Sequence, residues 1–143
     1  MKIVIQRVKG AKVTAKGRKT AEIKGGILLF VGVGRDDKIE DIGRVCEKIA
    51  NLRIFEDEGG KMNLNVRQAG GSVLSVSQFT LCADVTKGNR PGFDAAAERD
   101  TAERHWAALN AALREKGIEV KEGVFGARME VELINDGPVT III

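Results

Sequence analysis

The chain has 143 residues, of which 43% are hydrophobic and 30% are charged, and its formal net charge is +3. This length and balance suit one compact domain with a buried core and exclude a disordered or fibrous chain. No apolar run approaches membrane-spanning length and no secretory pattern opens the chain, so we expect no membrane association. The only cysteines, Cys46 and Cys82, have no paired spacing, which predicts a cytoplasmic protein without disulfide bonds.

Positive charge is concentrated near the N-terminus. Residues 1–25 contain eight lysines and arginines against Glu22 alone, a net charge of +7 that leaves −4 for residues 26–143. A basic segment of this kind can bind the phosphates of a nucleic acid. Lysines scattered over solvated strand faces and turns would give the same count, so charge alone leaves both interpretations open.

The first quarter of the chain predicts strands. Residues 1–8 alternate as a strand does, and residues 11–15 and 20–23 predict a hairpin around Lys16-Gly17-Arg18. The unbroken apolar run of residues 27–33 fits a strand that is buried on both faces.

A helix and a short strand follow. Asp36 and Asp37 are candidate N-caps, and apolar residues recur at helical spacing over residues 39–49. Cys46 lies on this apolar stripe, which indicates core packing. Residues 52–55 then predict a short strand.

The stretch from Ser72 to Leu81 predicts one strand, which starts after Gly70-Gly71. Both of its faces begin small or apolar and become polar from Ser77 to Thr80. This pattern favours a central strand whose C-terminal end opens onto a cavity. A core strand whose hydroxyl groups bond to the backbone would show the same pattern, so this stretch alone leaves both interpretations open.

The remainder predicts a loop, a second helix and three strands. Residues 87–93 have the composition of a shaped loop, and a helix over residues 94–116 is ended by Gly117. The apolar stripe of this helix is Ala102, Trp106, Leu109 and Leu113. Strands follow over residues 118–124, 129–134 and 139–143, and Asn135-Asp136-Gly137-Pro138 separates the last two.

The reactive side chains exclude several kinds of enzyme. His105 is the only histidine and lies beside Trp106 on the predicted helix, so a Ser-His-Asp triad would have to recruit it. No cysteine and histidine cluster has zinc spacing, and no calcium-binding or nucleotide-binding fingerprint occurs. Cys82 has no evident partner and is interpreted as structural. An enzyme built from this chain would use hydroxyl groups, the Gln78 amide, main-chain groups and the substrate itself, without metal or cofactor.

Two separated stretches together resemble a known family. Ser77-Gln78-Phe79-Thr80-Leu81 and Asn135-Asp136-Gly137-Pro138-Val139-Thr140 are similar to the paired signatures of the D-aminoacyl-tRNA deacylase family. Residues 1–8, 87–93 and 125–129 also resemble that family, so the similarity extends along nearly the full length. Two motifs in the right order with matching flanks are far more specific than either alone. Gly92 departs from the family, in which serine is common at this position.

The resemblance implies a fold and an assembly. The fold class is α/β, a three-layer β/β/α arrangement with a barrel-like mixed β core and two main helices, and residues 1–143 form one domain. The chain is expected to be a homodimer whose site is completed across the interface. Gly137-Pro138 would contain a cis peptide bond, which proline permits at little cost, and would reach into the partner subunit's site. The apolar end from Val139 to Ile143 needs cover, and a two-fold pairing would supply it.

The resemblance also implies an activity. The substrate is D-aminoacyl-tRNA, and hydrolysis of its ester bond releases free amino acid and tRNA while L-aminoacyl substrates are rejected, a chiral proofreading step in translation. Glycyl-tRNA mischarged on the alanine tRNA would be hydrolysed too, because glycine has no side chain to exclude. Phe79, Phe125 and Met129 would hold the terminal adenosine, and Lys87 and Arg90 would contact the tRNA.

The expected catalytic segment is Ser77, Gln78, Phe79 and Thr80. Main-chain N–H groups near Phe79 and Thr80 would stabilise the developing oxyanion, while the neighbouring ribose hydroxyl would position or activate a water molecule. Thr80 as a covalent nucleophile is the other possibility, but its hydroxyl needs a base and none is evident. We therefore expect attack by water with assistance from the RNA.

A non-catalytic alternative rests on the same features. A small RNA-binding or assembly module would also have a basic N-terminal segment and would lack ordinary catalytic residues. Loss of ester from D-Tyr-tRNA but not from L-Tyr-tRNA separates the two classes, because a binding module would change neither.

Overall fold

The computed structural model describes residues 1–143, and the longest strands are β1 (Lys2–Ala15) and β8 (Met129–Ile142). The main sheet also contains β2 (Arg18–Ile23), β3 (Gly26–Gly32), β6 (Ser72–Ser77) and β7 (Val120–Glu122). A small separate sheet pairs β4 (Phe55–Glu56) with β5 (Met62–Leu64). The helices are α1 (Ile42–Asn51) and α2 (Arg99–Glu115).

Strand β1 organises the main sheet because it pairs with three other strands. Its first half is antiparallel to β3, its second half is antiparallel to β2, and its other edge follows β8. Beyond β3 the sheet continues in parallel with β6 and then β7. Since β2 and β8 are both bound to β1, the mixed sheet curls into a nearly closed barrel, which confirms the predicted β core.

Two apolar cores lie on opposite faces of this sheet and define the three layers. The larger core contains 19 buried residues, among them Ile5 and Leu109, and packs the sheet against the two helices. The smaller contains 8 buried residues, among them Val13 and Leu28, and fills the inside of the curled sheet. Because side chains alternate along a strand, β3 is buried on both faces, as its unbroken apolar sequence predicted.

The predicted hairpin is present, but its first strand is longer than expected. Residues 1–8 and 11–15 belong to one continuous strand, β1, and the turn to β2 is Lys16-Gly17. Both turn residues have positive φ, 51° and 71°, which is the conformation that a tight two-residue hairpin turn requires.

Both helices begin later than the sequence predicted. Asp37 does not cap α1, because its carboxylate accepts the Gly34 N–H at 2.5 Å and contacts the Met1 amino group. A single 3₁₀ turn over residues 39–41 therefore precedes α1. Residues 94–98 precede α2 because they bond to the segment after β3, where Ala97 N–H donates to the Val33 carbonyl at 3.0 Å. No helix is both long and apolar enough to cross a membrane.

The central strand is also shorter than predicted. Strand β6 lies between β3 and β7 but ends at Ser77, and the chain turns into a 3₁₀ segment over Phe79–Cys82. Phe79 and Thr80 therefore do not continue the alternation of a strand. The predicted strand at residues 52–55 is wrong as well, since pairing there is confined to Phe55–Glu56.

The last two predicted strands are one strand with a bulge. Gln6 pairs with Thr140 and Val8 pairs with Asn135, so the four residues from Asp136 to Val139 lie opposite a single residue of β1. The Gly137–Pro138 peptide bond in this bulge is cis, as the resemblance implied.

Candidate active site

A cavity of about 500 Å³ lies where β6 ends, which confirms that the central strand opens onto a cavity. Ten of its 14 lining residues are hydrophobic, and the volume is within the range of roughly 300–1,000 Å³ that suits a small-molecule site. The lining includes Ser77 at the end of β6, Gln78 and Phe79 after it, Arg99 and Ala102 of α2, Phe125 before β8 and Met129 at its start. The sheet, α2 and the β7–β8 connection thus converge on one apolar space.

One wall of the cavity is Phe125, and two buried residues fix its position. The Trp106 ring lies 5.8 Å from the Phe125 ring, centroid to centroid, at an interplanar angle of 37°. The Trp106 Nε1–H donates to Ser75 Oγ at 2.8 Å, and the Ser75 side chain is fully buried. A buried indole N–H needs an acceptor, so this bond holds the tryptophan in one orientation and the phenylalanine against it.

The segment after β6 forms a second wall. Phe79 is half exposed and packs edge-on against Phe93, with ring centroids 5.0 Å apart. The first bond of the 3₁₀ turn runs from Leu81 N–H to the Gln78 carbonyl at 3.2 Å. The N–H groups of Phe79 and Thr80 precede that bond and have no partner within the turn. Two neighbouring main-chain donors at a cavity edge can stabilise negative charge on an oxygen.

No basic side chain is placed to activate Thr80. The Thr80 hydroxyl accepts a hydrogen bond from Gln78 Nε2 at 2.5 Å, and an amide is not a base. His105 is buried in α2, where its Nδ1 lies 2.7 Å from the Thr101 carbonyl. No group of three or more histidine, cysteine, aspartate or glutamate side chains is arranged to hold a metal ion.

Cys82, at the end of the 3₁₀ turn, is structural rather than reactive. Its side chain is buried, and its Sγ lies 3.6 Å from the Val33 carbonyl. Burial raises the pKa of the Cys82 thiol above its ordinary value, which keeps the group protonated at neutral pH. Cys46 is buried in the larger core, as its place on the apolar stripe predicted.

Lys87 and Arg90 lie outside the cavity, in an exposed loop. The loop is closed by two hydrogen bonds between Asp84 and Gly92, of 2.8 and 2.9 Å. Hydrogen bonds from the Thr86 hydroxyl and N–H lower the pKa of the Asp84 carboxyl and stiffen the loop start. The structure therefore does not bring these two cations together with the cavity residues, although the loop ends beside Phe93.

Gly137 and Pro138 are exposed and do not line the cavity of their own chain. Arg7 holds the bulge that contains them: its Nε donates to the Asp136 carbonyl at 3.2 Å, and its Nη1 donates to the Ile54 carbonyl at 2.6 Å. The Asp136 carboxylate lies 3.2 Å from the same Nε. Gly137 has a φ of 115°, and a Cβ atom there would lie 2.9 Å from Arg7 Nη2, so only glycine fits.

An apolar strip on the sheet near this bulge is only partly covered within the chain. Val4 lies opposite both Phe30 and Ile142, so these three side chains share one face of the sheet. Val4 and Phe30 are partly exposed, and Ile142 is 74% exposed. An incompletely covered row of this kind on adjacent strands is typical of a surface that meets another chain.

The sequence analysis gave no role in the site to three residues that shape these features: Arg7, Ser75 and Trp106, the last of which it placed only on the apolar stripe of α2. The available signal for Arg7 was its place on the same strand face as Ile3 and Ile5, which predicts burial. A buried charge must be paired, and Arg7 is indeed buried. A serine within an apolar strand and a tryptophan on the core stripe were the signals for the other two, because each needs a hydrogen-bond partner when buried. Their pairing depends on how α2 crosses the sheet, which local sequence does not encode.

Comparison with known proteins places this geometry in a family. A family model described as D-Tyr-tRNA(Tyr) deacylase matches residues 4–143. The D-aminoacyl-tRNA deacylase of Geobacillus sp. (strain WCH70) is 57% identical over 143 residues, covering 100% of this chain and 94% of the relative. That of Thermus aquaticus is 54% identical, with the same coverage of both chains.

Solved structures agree with this comparison. The c-Myc DNA Unwinding Element Binding Protein superposes with a TM-score of 0.93 at 40% identity, covering 100% of this chain and 97% of that one. A probable eukaryotic D-amino acid tRNA deacylase superposes with a TM-score of 0.85 at 14% identity, covering 99% of this chain and 97% of that one, so this likeness shows a common fold.

Proposed function

The chain belongs to the D-Tyr-tRNA(Tyr) deacylase family and hydrolyses the ester bond of D-aminoacyl-tRNA, and we propose that it does so in the cavity at the end of β6. This activity makes it a hydrolase of translation quality control. The observation that carries the assignment of the site is the position of Phe79, which lines the same apolar cavity as Phe125 and begins the 3₁₀ turn whose first two N–H groups have no partner; Thr80, the second residue of that turn, is exposed and lies outside the cavity lining. We further propose that residues 1–143 act as one domain in the cytoplasm.

The terminal adenosine of the tRNA occupies the apolar part of the cavity. Phe125 and Phe79 offer flat surfaces for a nucleobase, and Met129 offers an adaptable one. The bond between Trp106 and Ser75 supports this assignment, because it keeps the Phe125 wall in place when no ligand is bound. Lys87 and Arg90, on the exposed loop, contact the tRNA beyond its terminal nucleotide.

Hydrolysis proceeds by attack of water on the ester carbonyl. The neighbouring ribose hydroxyl positions the water, and the N–H groups of Phe79 and Thr80 stabilise the oxyanion that forms. Ser77 and Gln78 complete the catalytic segment, in which Gln78 orients the Thr80 hydroxyl. Thr80 is not a nucleophile in this proposal, because its hydroxyl has an amide as partner where a nucleophile needs a base.

The active form is a homodimer in which Gly137 and Pro138 of one subunit reach the cavity of the other. Two observations support this proposal: these residues are exposed and outside their own cavity, and the strip formed by Val4, Phe30 and Ile142 is incompletely covered. A two-fold pairing buries the strip on both subunits at once.

The same segment selects the chirality of the substrate. Main-chain oxygens of Gly137 and Pro138 occupy the volume that an L side chain needs, while a D side chain points away from them. Close-packed atoms cannot accommodate even one extra methyl group without a cost on the order of 1–3 kcal/mol, so exclusion is effective. Glycyl-tRNA, including glycine mischarged on the alanine tRNA, is therefore hydrolysed as well.

A comparison of D-Tyr-tRNA, L-Tyr-tRNA, L-Ala-tRNA and glycyl-tRNA at matched enzyme concentration tests the proposal. We expect rapid ester loss from the D-aminoacyl and glycyl substrates and little from the two L substrates. Rejection of glycyl-tRNA as firm as that of L-Ala-tRNA would show that the site needs a D side chain. Equal stability of all four esters would indicate a non-catalytic RNA-binding module.

A further inference from the structure

Arg99 is the only charged residue that lines the cavity. It lies at the first residue of α2 and takes part in none of the ion pairs of the chain. The other lining residues carry apolar or neutral polar side chains. Arg99 is exposed, so its unpaired charge borders a mostly apolar cavity and is also accessible from solvent.

Helix stability does not explain the position of this side chain. A cation at the first residue of a helix is disfavoured by the helix dipole. Glu103 lies four residues further along α2, at the spacing that allows an ion pair on a helix surface, but no such pair forms. The guanidinium instead rests on Gly126 at the cavity wall, where a Cβ atom on the glycine would lie 2.7 Å from Arg99 Nη2.

We propose that Arg99 binds the phosphate group that joins the terminal adenosine to the nucleotide before it. The inference rests on the proposed function, which places that adenosine in the cavity. A terminal adenosine in an oligonucleotide carries one anionic group, the phosphate on its 5′ oxygen. The planar fork of an arginine matches two phosphate oxygens, and an exposed guanidinium at the border of the cavity can meet a phosphate that remains outside the apolar space.

This contact makes the site selective for the end of a polynucleotide over a free nucleoside ester. Phe79 and Phe125 recognise a base that any adenosine ester presents, whereas Arg99 recognises the phosphate that only a 5′-linked adenosine carries. Arg99 thereby contributes to substrate binding and not to the chemical step, so its removal raises KM and leaves kcat nearly unchanged.

Two small substrates that differ only in the phosphate test the contact: 3′-O-D-tyrosyl-adenosine and its 5′-monophosphate. For the unaltered protein we expect a KM lower by on the order of tenfold for the 5′-monophosphate, the magnitude of one charge-assisted hydrogen-bonded contact. Arg99→Gln is expected to abolish this preference, and Arg99→Lys to retain part of it. With D-Tyr-tRNA, Arg99→Gln should also reduce the slope of log affinity against log salt by about 0.7.

Arg104→Ala is the matched control, because Arg104 is an exposed cation of the same helix that does not line the cavity. It should leave the phosphate preference intact. Equal KM values for both small substrates with the unaltered protein, or an equal loss on both with Arg99→Gln, would overturn the inference while the deacylase activity stands. Absence of hydrolysis of both esters and of D-Tyr-tRNA would instead refute the proposed function and, with it, this contact.

Discussion

The wall at Phe125 and the bulge at Asp136–Val139 are both irregular segments attached to strands, but they are held in different ways. The wall is held by a neutral hydrogen bond between Ser75 and Trp106, inside the larger core. The bulge is held by a cation, Arg7, which bonds to main-chain carbonyls at the edge of that core. One segment depends on the packing of a helix on the sheet, and the other depends on one long side chain.

The two segments also face different spaces. The wall borders the cavity of its own chain, whereas Gly137 and Pro138 of the bulge are exposed and do not line that cavity. If two copies pair, each subunit supplies a binding wall for itself and a selective element for its partner. Under the proposed function the wall binds the substrate and the bulge selects it, so substitutions in the two segments should affect different measurements.

The largest effect is expected at Arg7, which has only main-chain and carboxylate partners. Arg7→Ala leaves buried carbonyl groups unpaired and should lower the free energy of unfolding by about 3 kcal/mol. Urea denaturation measures this loss of stability. The ratio of D-Tyr-tRNA to L-Tyr-tRNA hydrolysis should also fall at least tenfold. Arg7→Lys should show a smaller decrease in both quantities.

Lys9→Ala is the control for Arg7, because Lys9 contacts the same Asp136 carboxylate at 3.8 Å from an exposed position. We expect its effect on unfolding to stay within about 0.5 kcal/mol. Unchanged D-to-L selectivity in a folded Arg7 variant would contradict the role of this residue in holding the bulge.

Charge on the apolar strip should separate the subunits and so test whether the bulge acts across an interface. Ile142→Lys places a cation on a surface that pairing would bury, at little cost to a single chain because Ile142 is 74% exposed. Light scattering at micromolar concentration should show a monomer, and D-Tyr-tRNA hydrolysis should fall by more than tenfold. Val85→Lys, in the exposed loop, is the matched control. A monomeric unaltered protein with full activity would refute the dimer.

The wall should respond less strongly, and in binding rather than in selectivity. Ser75→Ala leaves the buried Trp106 N–H without an acceptor and should lower the free energy of unfolding by about 1–2 kcal/mol. KM for D-tyrosyl-adenosine should rise several-fold, while D-to-L selectivity stays constant. Combining Ser75→Ala with Trp106→Phe should cost less than the sum of both single losses, because neither polar group is then left unpaired. Strict additivity in urea denaturation would contradict the coupling.

The smallest effect is expected at Thr80, which belongs to neither the wall nor the bulge but to the 3₁₀ turn after β6. Thr80→Ala removes a hydroxyl but keeps the main-chain N–H groups that we propose stabilise the oxyanion, so the single-turnover rate should fall less than about threefold. A folded Thr80→Ala variant without measurable hydrolysis would show that the hydroxyl is the nucleophile.

Sequence alone predicted much of the fold because its periodic segments are strong. The apolar run at residues 27–33 predicted a strand buried on both faces, and the apolar stripe on α2 predicted a helix buried on one face. The starts of α1 and α2 were wrong because tertiary contacts decided them: Asp37 bonds to Gly34 and Met1, and Ala97 bonds to Val33. Propensity does not include such contacts.

The site divides in the same way. The sequence resemblance named the segments after β6 and around Pro138, and the structure places Phe79, Phe125 and Met129 on one cavity. Neither Arg7 nor Ser75 could be assigned a partner from sequence, because Ile54 and Trp106 lie 47 and 31 residues away from them. Partners at such separations are found only once the chain is folded.

The pairing of β1 with β8 also determines when the molecule can fold. Ile3 and Ile143 exchange two main-chain hydrogen bonds, so one edge of the first strand has no partner until the last residues of the chain are available. Contacts between such distant residues slow folding, because the loop between them must be closed first. During synthesis, β1 and β3 can already pair while β1 presents its other edge to any passing strand. We therefore expect β1 amides on that edge to gain protection late in pulse-labelled hydrogen exchange, together with those of β8.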